Sequence, residues 1–181
     1  NSRPQYWDAP QFSVDNNNTL QRKDVLFGNF GANYQLTSNI KANLEARRRV
    51  NSYFSNSRVA FGGLEIPSYN EGSSHYEQNE LFGFLNFADR YIEDALDIDV
   101  KVGFQLQKNR SQSTSAGTVG GLSVPDFYSV ATSVDRPSYS HNLTQSRVNS
   151  LFSSVSVGYD STFYIDASYR LDWSSTANTA N

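Results

Sequence analysis

Apolar and polar residues alternate along much of the chain, most regularly near its middle. There the apolar positions recur at every second residue: Leu96, Ile98, Val100, Val102, Phe104 and Leu106. An α-helix would scatter these side chains around its circumference, whereas a β-strand places all of them on one side. This segment therefore predicts a strand with one apolar face and one polar face.

The same two-residue period occurs in five further segments, which lie at about 25–36, 40–47, 78–87, 145–159 and 163–173. Short connections join the six segments in pairs, at 37–39, 88–94 and 160–162. The pairs predict three hairpins, at 24–51, 78–108 and 145–174. Two long loops would then connect the hairpins, at 52–77 and 109–144.

The lengths of the segments and of the connections favour a particular all-β fold. Each predicted strand has about 10–14 residues, whereas strands of soluble proteins usually have about 5–6. A tilted strand needs about 9–11 residues to cross a bilayer, and membrane barrels have short turns on one side and long loops on the other. We therefore expect an antiparallel transmembrane β-barrel segment with its short turns on the periplasmic side.

Charged residues of the second, fourth and sixth segments fall opposite the apolar stripe. A lysine or arginine that faces lipid at mid-bilayer costs about 2–4 kcal/mol, so the charged side should be the wet one. Eight of these residues are expected to line the lumen: Lys41, Glu45, Arg47, Asp97, Asp99, Lys101, Asp166 and Arg170. Arg48 has the opposite parity, and alternation places it outward, near the lipid headgroups.

Aromatic residues gather near the ends of the predicted strands. Those near the short turns are Tyr34, Phe87, Tyr91, Tyr159 and Phe163. Those near the long loops are Tyr53, Phe54 and Trp173. Together they predict the two aromatic girdles that mark the membrane interfaces of a barrel.

Composition restricts the class of protein further. The chain of 181 residues is 38% hydrophobic and 14% aromatic, and its net charge of −3 disfavours a nucleic-acid partner. Without cysteine and with only two histidines, the sequence predicts no metal or cofactor site. Asp97 and Asp99 could act as an acid–base pair, but a polar lumen wall is the simpler explanation. We therefore expect a protein that is not an enzyme.

The chain is also expected to be a piece of a longer protein. It contains no methionine and no signal peptide. Six strands are too few to close around a wide lumen, and lipid does not tolerate unpaired strand edges. The two outermost strands should therefore pair with other segments of the same protein.

The stretch 148–176 carries a more specific pattern, VNSLFSSVSVGYDSTFYIDASYRLDWSST. It resembles a hairpin of the SusC/RagA family of TonB-dependent outer-membrane transporters, in which one strand ends in Gly-Tyr and the next in Arg-x-Asp-Trp-Ser-Ser. The matching positions are Gly158, Tyr159, Arg170, Asp172, Trp173, Ser174 and Ser175. FGNFGANYQLT at 27–37 and VPDFYSVATS at 124–133 are similar to the same family. The match ends at Thr176, after which the family more often continues with Leu-Pro.

The resemblance implies a function and a set of partners. Such transporters have a 22-stranded barrel, an N-terminal plug domain and a segment that contacts the TonB complex. A SusD-like surface lipoprotein closes over the barrel as a lid, usually in a dimer of such pairs, and the imported substrates are oligosaccharides or peptides. This chain would form barrel wall in the outer membrane of a Gram-negative bacterium, next to lipid, the remaining barrel and the plug.

The two long loops are then the candidate binding elements, because loops on a rigid scaffold carry most binding residues. Their aromatic and histidine side chains could stack on a substrate, contact the lid protein or pack against one another, and the sequence leaves these three possibilities open. The candidates are Tyr53, Phe54, Tyr69, His75, Tyr76, Phe127, Tyr128 and Tyr139.

Two other functions compete with this one. A siderophore- or cobalamin-type TonB receptor would share the barrel, although the last hairpin disfavours it. A glycan-binding β-sandwich at the cell surface, such as a lectin or adhesin, would instead bury the face from Leu96 to Leu106 under a second sheet.

Overall fold

The computed structural model describes residue 8 and residues 10–91 and 95–178, with side chains as far as Ser174. Residues 92–94, in the predicted connection 88–94, lie outside the described part. One short helix precedes six strands, and a single 3-10 turn lies between the fourth and fifth strands. Their bounds are α1 Pro10–Asn16, β1 Asn18–Gln35, β2 Ile40–Val59, β3 Ser68–Tyr91, β4 Leu96–Gly117, the 3-10 turn Val130–Thr132, β5 Ser138–Tyr159 and β6 Phe163–Asn178.

The six strands form one antiparallel sheet in chain order, β1-β2-β3-β4-β5-β6. The predicted six-stranded antiparallel fold is therefore confirmed. No second sheet covers it within the described residues, whereas the β-sandwich alternative requires one. Strands β1 and β6 lie at the two edges, and each pairs with one neighbour only. No described helix is long and apolar enough to span a membrane.

The register of the five pairings keeps two faces separate across the whole sheet. Residues directly opposite each other share a face, and the pairings connect Leu106 to Leu81, Leu81 to Ala46, and Ala46 to Phe30. We call the side that contains Leu96, Ile98, Val100, Val102, Phe104, Leu106 and all residues in register with them the apolar face. The opposite side, with Asp97, Asp99, Lys101, Gln105, Gln107 and their partners, is the polar face.

The apolar face is open to its surroundings in this chain. Val102 is 56% exposed and Leu151 is 52% exposed, although both lie in strands that have neighbours on each side. The surface area of the chain is 13080 Å², whereas a compact monomer of 20.3 kDa would expose about 8,800 Å². So much apolar exposure is characteristic of a sheet that something outside this chain covers.

The strands are much longer than the apolar segments predicted. They have between 16 and 24 residues, so each of them exceeds the roughly 9–11 needed to cross a bilayer. On β4 the apolar side runs from Leu96 to Leu106, about 35 Å along the strand and about 25 Å in height at a 45° tilt. The rest of β4, to Gly117, continues the same ladder between β3 and β5.

The predicted long loops are therefore longer than the connections that the structure shows. Strands β2 and β3 pair through most of 52–77, which leaves a connection at 60–67, and β4 and β5 pair through much of 109–144, which leaves a connection at 118–137. The physical reason is that both faces of these extensions are polar, so the two-residue hydropathy period disappears. Backbone pairing does not depend on that period and continues regardless.

Helix α1 and the two remaining connections form a small cap at the end of the sheet opposite the short turns, which we call the outer end. The amide of Ala60 donates to Asn17 Oδ1 at 2.9 Å, and the amide of Leu64 donates to Asp8 Oδ1 at 2.8 Å. In the second connection Leu122 forms an isolated bridge with Ser133. Ala60 and Leu122 are the buried apolar residues of the described chain, and both lie in this cap.

The register places members of the girdle predicted near the short turns side by side on the apolar face. Tyr91, Leu96, Tyr159 and Phe163 form one row across β3 to β6 on the apolar face. The second predicted girdle is wrong in two of its three members. Tyr53 lies on the polar face, and Phe54 lies four rows beyond the last continuous apolar row, so only Trp173 is placed to mark that boundary.

Three aromatic rings pack together on the polar face, around a glycine. Phe82 stacks on Phe152 with ring centroids 5.4 Å apart, and Phe82 meets Phe84 edge to face at 5.8 Å. Gly103 lies directly opposite both Phe84 and Phe152. A Cβ at this position would lie 2.5 Å from the carbonyl oxygen of Gly83 and 2.7 Å from Phe84 Cβ, and it would overlap the Phe152 ring. Only glycine lets the rings cover β4 here.

The first prediction concerns the strand extensions. Substituting Ser113→Pro should open the outer half of β4, because proline removes a ladder hydrogen bond in a strand paired on both sides. Amide hydrogen exchange in 107–117 and 138–148 should accelerate about fivefold or more, since one net hydrogen bond contributes about 1 kcal/mol. Glu65→Pro, in the 60–67 connection, should leave this exchange unchanged. Equal effects of both variants would contradict the paired extensions.

The second prediction concerns Gly103. Gly103→Ala should destabilise the protein by about 1–3 kcal/mol, because the added methyl overpacks the ring cluster. Gly28→Ala is the matched control, since nothing lies within 4 Å of its Cβ position, and it should change stability by no more than about 0.5 kcal/mol. The midpoint of unfolding of the protein in denaturant measures both. An equal shift for the two variants would show that the rings do not need the glycine.

Candidate functional site

The polar face is the candidate functional surface, because it carries the charged side chains that lie level with the apolar band on β2, β4 and β6. The eight charged residues expected to line a lumen all lie on it, as the register of the pairings shows. These residues are Lys41, Glu45, Arg47, Asp97, Asp99, Lys101, Asp166 and Arg170. That this face encloses a lumen stays a prediction, since the chain by itself forms an open sheet.

One ion-pair network lies on β2 and β3. The Arg47 guanidinium binds Glu45 at 2.7 Å and Glu80 at 3.2 Å. Asn29 of β1 donates to the other Glu45 oxygen at 3.3 Å, and the Arg47 guanidinium also lies 5.9 Å from the centre of the Phe82 ring. The network therefore connects the charged part of the face to the ring cluster.

A second network lies on β4 to β6, on the other side of the rings. Arg170 binds Asp172 at 2.9 Å and donates to Gln105 Oε1 at 2.8 Å and to Ser150 Oγ at 2.9 Å. Ser150 is only 2% exposed, so this hydroxyl is one of the few buried polar groups of the described chain. The arginine thereby fixes three strands to one another on the polar side.

The two aspartates that could have formed an acid–base pair are each bound to a cation. Asp97 lies 2.7 Å from Arg90, and Asp99 lies 3.6 Å from Lys101 and accepts a hydrogen bond from Asn86 at 3.0 Å. Asp166 is in register with Asp99 through Ser156. These contacts favour the polar wall over acid–base chemistry. No group of three potential metal ligands occurs among the described residues.

An open groove of about 580 Å³ follows the polar face near its β1 edge. Its lining combines apolar, cationic and amide side chains: Val25, Phe27, Asn29, Arg47, Arg49, Gln78 and Glu80. A surface of this mixed character can hold an extended chain that carries both backbone amides and varied side chains. The groove lies at the level where the apolar face gives way to the polar extensions.

The eight candidate binding residues do not meet at one site. Tyr53 and Tyr76 lie on the polar face. Phe54, Tyr69, His75 and Tyr139 lie on the opposite face of the strand extensions. Only Phe127 and Tyr128 lie in a connection, and the Arg58 guanidinium covers the Tyr128 ring at 4.8 Å. The expectation that all eight belong to loops is therefore wrong, because six of them are strand residues.

His75 lies between Ser52 and Glu77, at 3.0 Å from each, which is the spacing of a catalytic triad. The same hydrogen bond with His75 lowers the pKa of Glu77 below its usual value. Hydrolysis would also need amide donors for an oxyanion. The amides here belong to paired strands, so their hydrogen bonds are already made. We therefore assign this cluster a structural role.

Tyr69 is held in the outer part of the sheet by several contacts. Its amide donates to Thr118 Oγ1 at 2.9 Å, and its hydroxyl donates to Glu71 Oε2 at 3.1 Å. Burial, with this hydrogen bond as the second cause, raises the pKa of the Tyr69 hydroxyl. Tyr69 therefore anchors the start of the 118–137 connection to β3 and is not free to reach a ligand.

Sequence reasoning missed the ring cluster and part of the networks. The residues not singled out were Glu80, Phe82, Phe84, Gln105, Ser150 and Phe152. One signal was visible, since the predicted third segment carries apolar residues on both of its faces. The partners of Arg170 could not be found in this way, because Gln105 is 65 residues away in the sequence.

Comparison with known proteins gives similarity at the level of structure. No family model matches the chain, and no curated protein matches it. The chain is similar to a chain in the structure of the RagAB peptide transporter, with a TM-score of 0.80 at 14% identity, over 91% of this chain and 19% of that one.

A second solved structure supports the same assignment. It is the RagAB peptide importer in the "open-open" state, with a TM-score of 0.77 at 16% identity, over 93% of this chain and 20% of that one. The chain thus spans about a fifth of the length of the chains it matches. At this identity the likeness concerns fold, and it agrees with the family that the hairpin at 148–176 resembles. In fold, therefore, the chain is similar to a segment of the barrel found in RagAB.

Proposed function

We propose that this chain is barrel wall of a SusC/RagA-type, TonB-dependent importer in the outer membrane of a Gram-negative bacterium. The observation that carries the proposal is the separation of two faces across six strands, one apolar over a height of about 25 Å and the other charged. The unpaired edges of β1 and β6 require further strands, which the remaining barrel of the same protein would supply.

Peptides are the substrate class that we favour over oligosaccharides. The solved structures that this fold resembles are of a peptide transporter. The polar-face groove also presents both charge signs, through Arg47, Arg49 and Glu80, next to apolar Phe27. Peptides carry charged, amide and apolar groups in one chain, whereas neutral sugars need no ion-pairing groups.

The proposed partners follow from the same assignment. The plug domain and the rest of the barrel would complete the lumen, lipid would contact the apolar face, and a SusD-like lipoprotein would close the outer end. The TonB complex would supply the energy for import. The chain itself would perform no chemical reaction, in agreement with the ion-paired state of Asp97 and Asp99.

The third prediction tests the orientation of the two faces with adjacent residues of β5. In the full-length protein, Val155→Arg places a cation at mid-height on the apolar face and should cost about 2–4 kcal/mol in the bilayer. Ser156→Arg places the same cation on the polar face, directly between Asp99 and Asp166, and should be tolerated. The amount of folded protein recovered from outer membranes with detergent measures both. Equal recovery would overturn the assignment of the faces.

The fourth prediction concerns the substrate. Tyr53 and Tyr76 lie on the polar face beyond the apolar band, so they are placed to meet a substrate at the outer entrance. Tyr53→Ala should reduce uptake of a labelled oligopeptide several-fold. Phe54→Ala, the neighbouring aromatic on the opposite face, should not.

The choice of substrate class is tested in the same uptake assay. A labelled oligosaccharide should not be taken up by the unmodified protein, and uptake of the sugar in place of the peptide would reverse our preference. If Phe54→Ala impaired peptide uptake as much as Tyr53→Ala, the entrance would not lie on the polar face.

A further inference from the structure

A row of cations crosses the apolar face where its continuous apolar part ends. The pairings place Arg48 opposite Asn79, Asn79 opposite Lys108, and Lys108 opposite Arg147. We call Arg48, Lys108 and Arg147 the basic row. The adjacent inner row consists of Phe30, Ala46, Leu81, Leu106, Asn149 and Trp173. Three strands, β2, β3 and β4, thus change from apolar to basic or amide side chains between these two rows.

The charges of Lys108 and Arg147 are not balanced by a carboxylate of the described residues. Lys108 and Arg147 are directly opposite each other, with Cβ atoms about 5 Å apart, and like charges in this position repel. No described carboxylate lies within 4.0 Å of either of them. The net charge of the chain is −3, so this accumulation of positive charge is local.

Acidic groups on the same face are engaged elsewhere. Glu77 lies 3.8 Å from Arg48, but it also lies 3.0 Å from His75, and it is in register with Arg110. Asp24 is bound to Arg22 at 3.0 Å. With Arg110 next to the basic row, this part of the face holds four cations for one nearby carboxylate.

An open groove of about 690 Å³ adjoins the basic row on the apolar face. Ala46, Leu81 and Leu106 form its apolar floor. Lys108 and Arg147 lie at its outer end together with Asn79, and the amide side chain of Asn149 lies in the same row as the apolar floor. The groove therefore combines a hydrocarbon-compatible surface with a cationic end that also carries hydrogen-bond donors.

We propose that the groove and the basic row bind a phosphorylated lipid of the outer leaflet. Its acyl chain would lie along Ala46, Leu81 and Leu106, and a phosphate would bridge Lys108 and Arg147. A phosphate between two opposed cations turns their repulsion into two charge-assisted hydrogen bonds. Basic pockets at the edge of a membrane-spanning surface bind anionic headgroups for the same reason. This inference rests on the proposed function, because it needs the apolar face to contact lipid with the strand extensions outward.

The test uses the full-length protein, purified from outer membranes and stripped of lipid in a zwitterionic detergent. The probes are diphosphoryl lipid A and the same lipid after removal of both phosphates, and native mass spectrometry counts the bound molecules. The unmodified protein should bind the phosphorylated lipid more tightly. In Lys108→Gln/Arg147→Gln the affinity for it should fall about 30-fold, because each interfacial cation contributes about 1 kcal/mol.

Lys23→Gln/Arg136→Gln is the matched control, since it removes two positive charges, one on β1 and one in the 118–137 connection, and neither residue lines the groove. It should keep the affinity of the unmodified protein, and the conservative variant Lys108→Arg should keep it as well. Inorganic phosphate at millimolar concentration should not displace the lipid. The proposal is overturned if the double variant binds like the unmodified protein, if the dephosphorylated lipid binds equally well, or if phosphate alone displaces the lipid.

Location and uptake, measured on the same samples, separate this inference from the proposed function. If all the proteins are recovered from outer membranes and import peptide, but the preference for phosphorylated lipid is absent, only the lipid site is wrong. If the unmodified full-length protein is not found in outer membranes, the proposed function and the lipid site are wrong together. Removing a repulsive pair should not impair folding, so SDS resistance of the double variant should match that of the unmodified protein.

Discussion

Backbone hydrogen bonding between neighbouring strands is the constraint on which the rest of this structure depends. Inside a bilayer no water is available, so every strand must find its partners in other strands. The five antiparallel pairings meet this demand for β2 to β5 and leave β1 and β6 with one unpaired edge each. In the proposed function the open edges and the large exposed surface have a common explanation, because the sheet would continue into further strands of a larger barrel.

Register is the second requirement, because a slip by one residue would move every side chain of a strand to the other face. All five pairings preserve the separation of the apolar and polar faces. Close packing supports that register where a glycine opposes an aromatic residue. Gly103 accommodates the rings of Phe84 and Phe152 on the polar face, and Gly83 lies under the Phe104 ring on the apolar face. A slipped strand would put a side chain where the ring now lies.

Pairing continues where the apolar band ends, and this places most of the candidate binding residues on paired strands. Beyond Leu106 both faces of β4 are polar, yet its ladder runs on to Gly117. Residues that could have shared one mobile loop are separated onto two sides of the sheet, with Tyr76 on one side and Tyr69 on the other. The cap at this end of the sheet contains the buried apolar residues Ala60 and Leu122.

The sequence alone determined the six strands, their antiparallel order and the face on which charges such as Lys101 and Arg170 lie, because a two-residue period and short turns are local properties. It did not reveal where β2 to β5 end, since the period disappears where both faces are wet. Only the tertiary structure decided which distant residues meet, such as Arg170 with Gln105 or Lys108 with Arg147. Those contacts depend on register between strands, and no local pattern encodes how far one strand is shifted against the next.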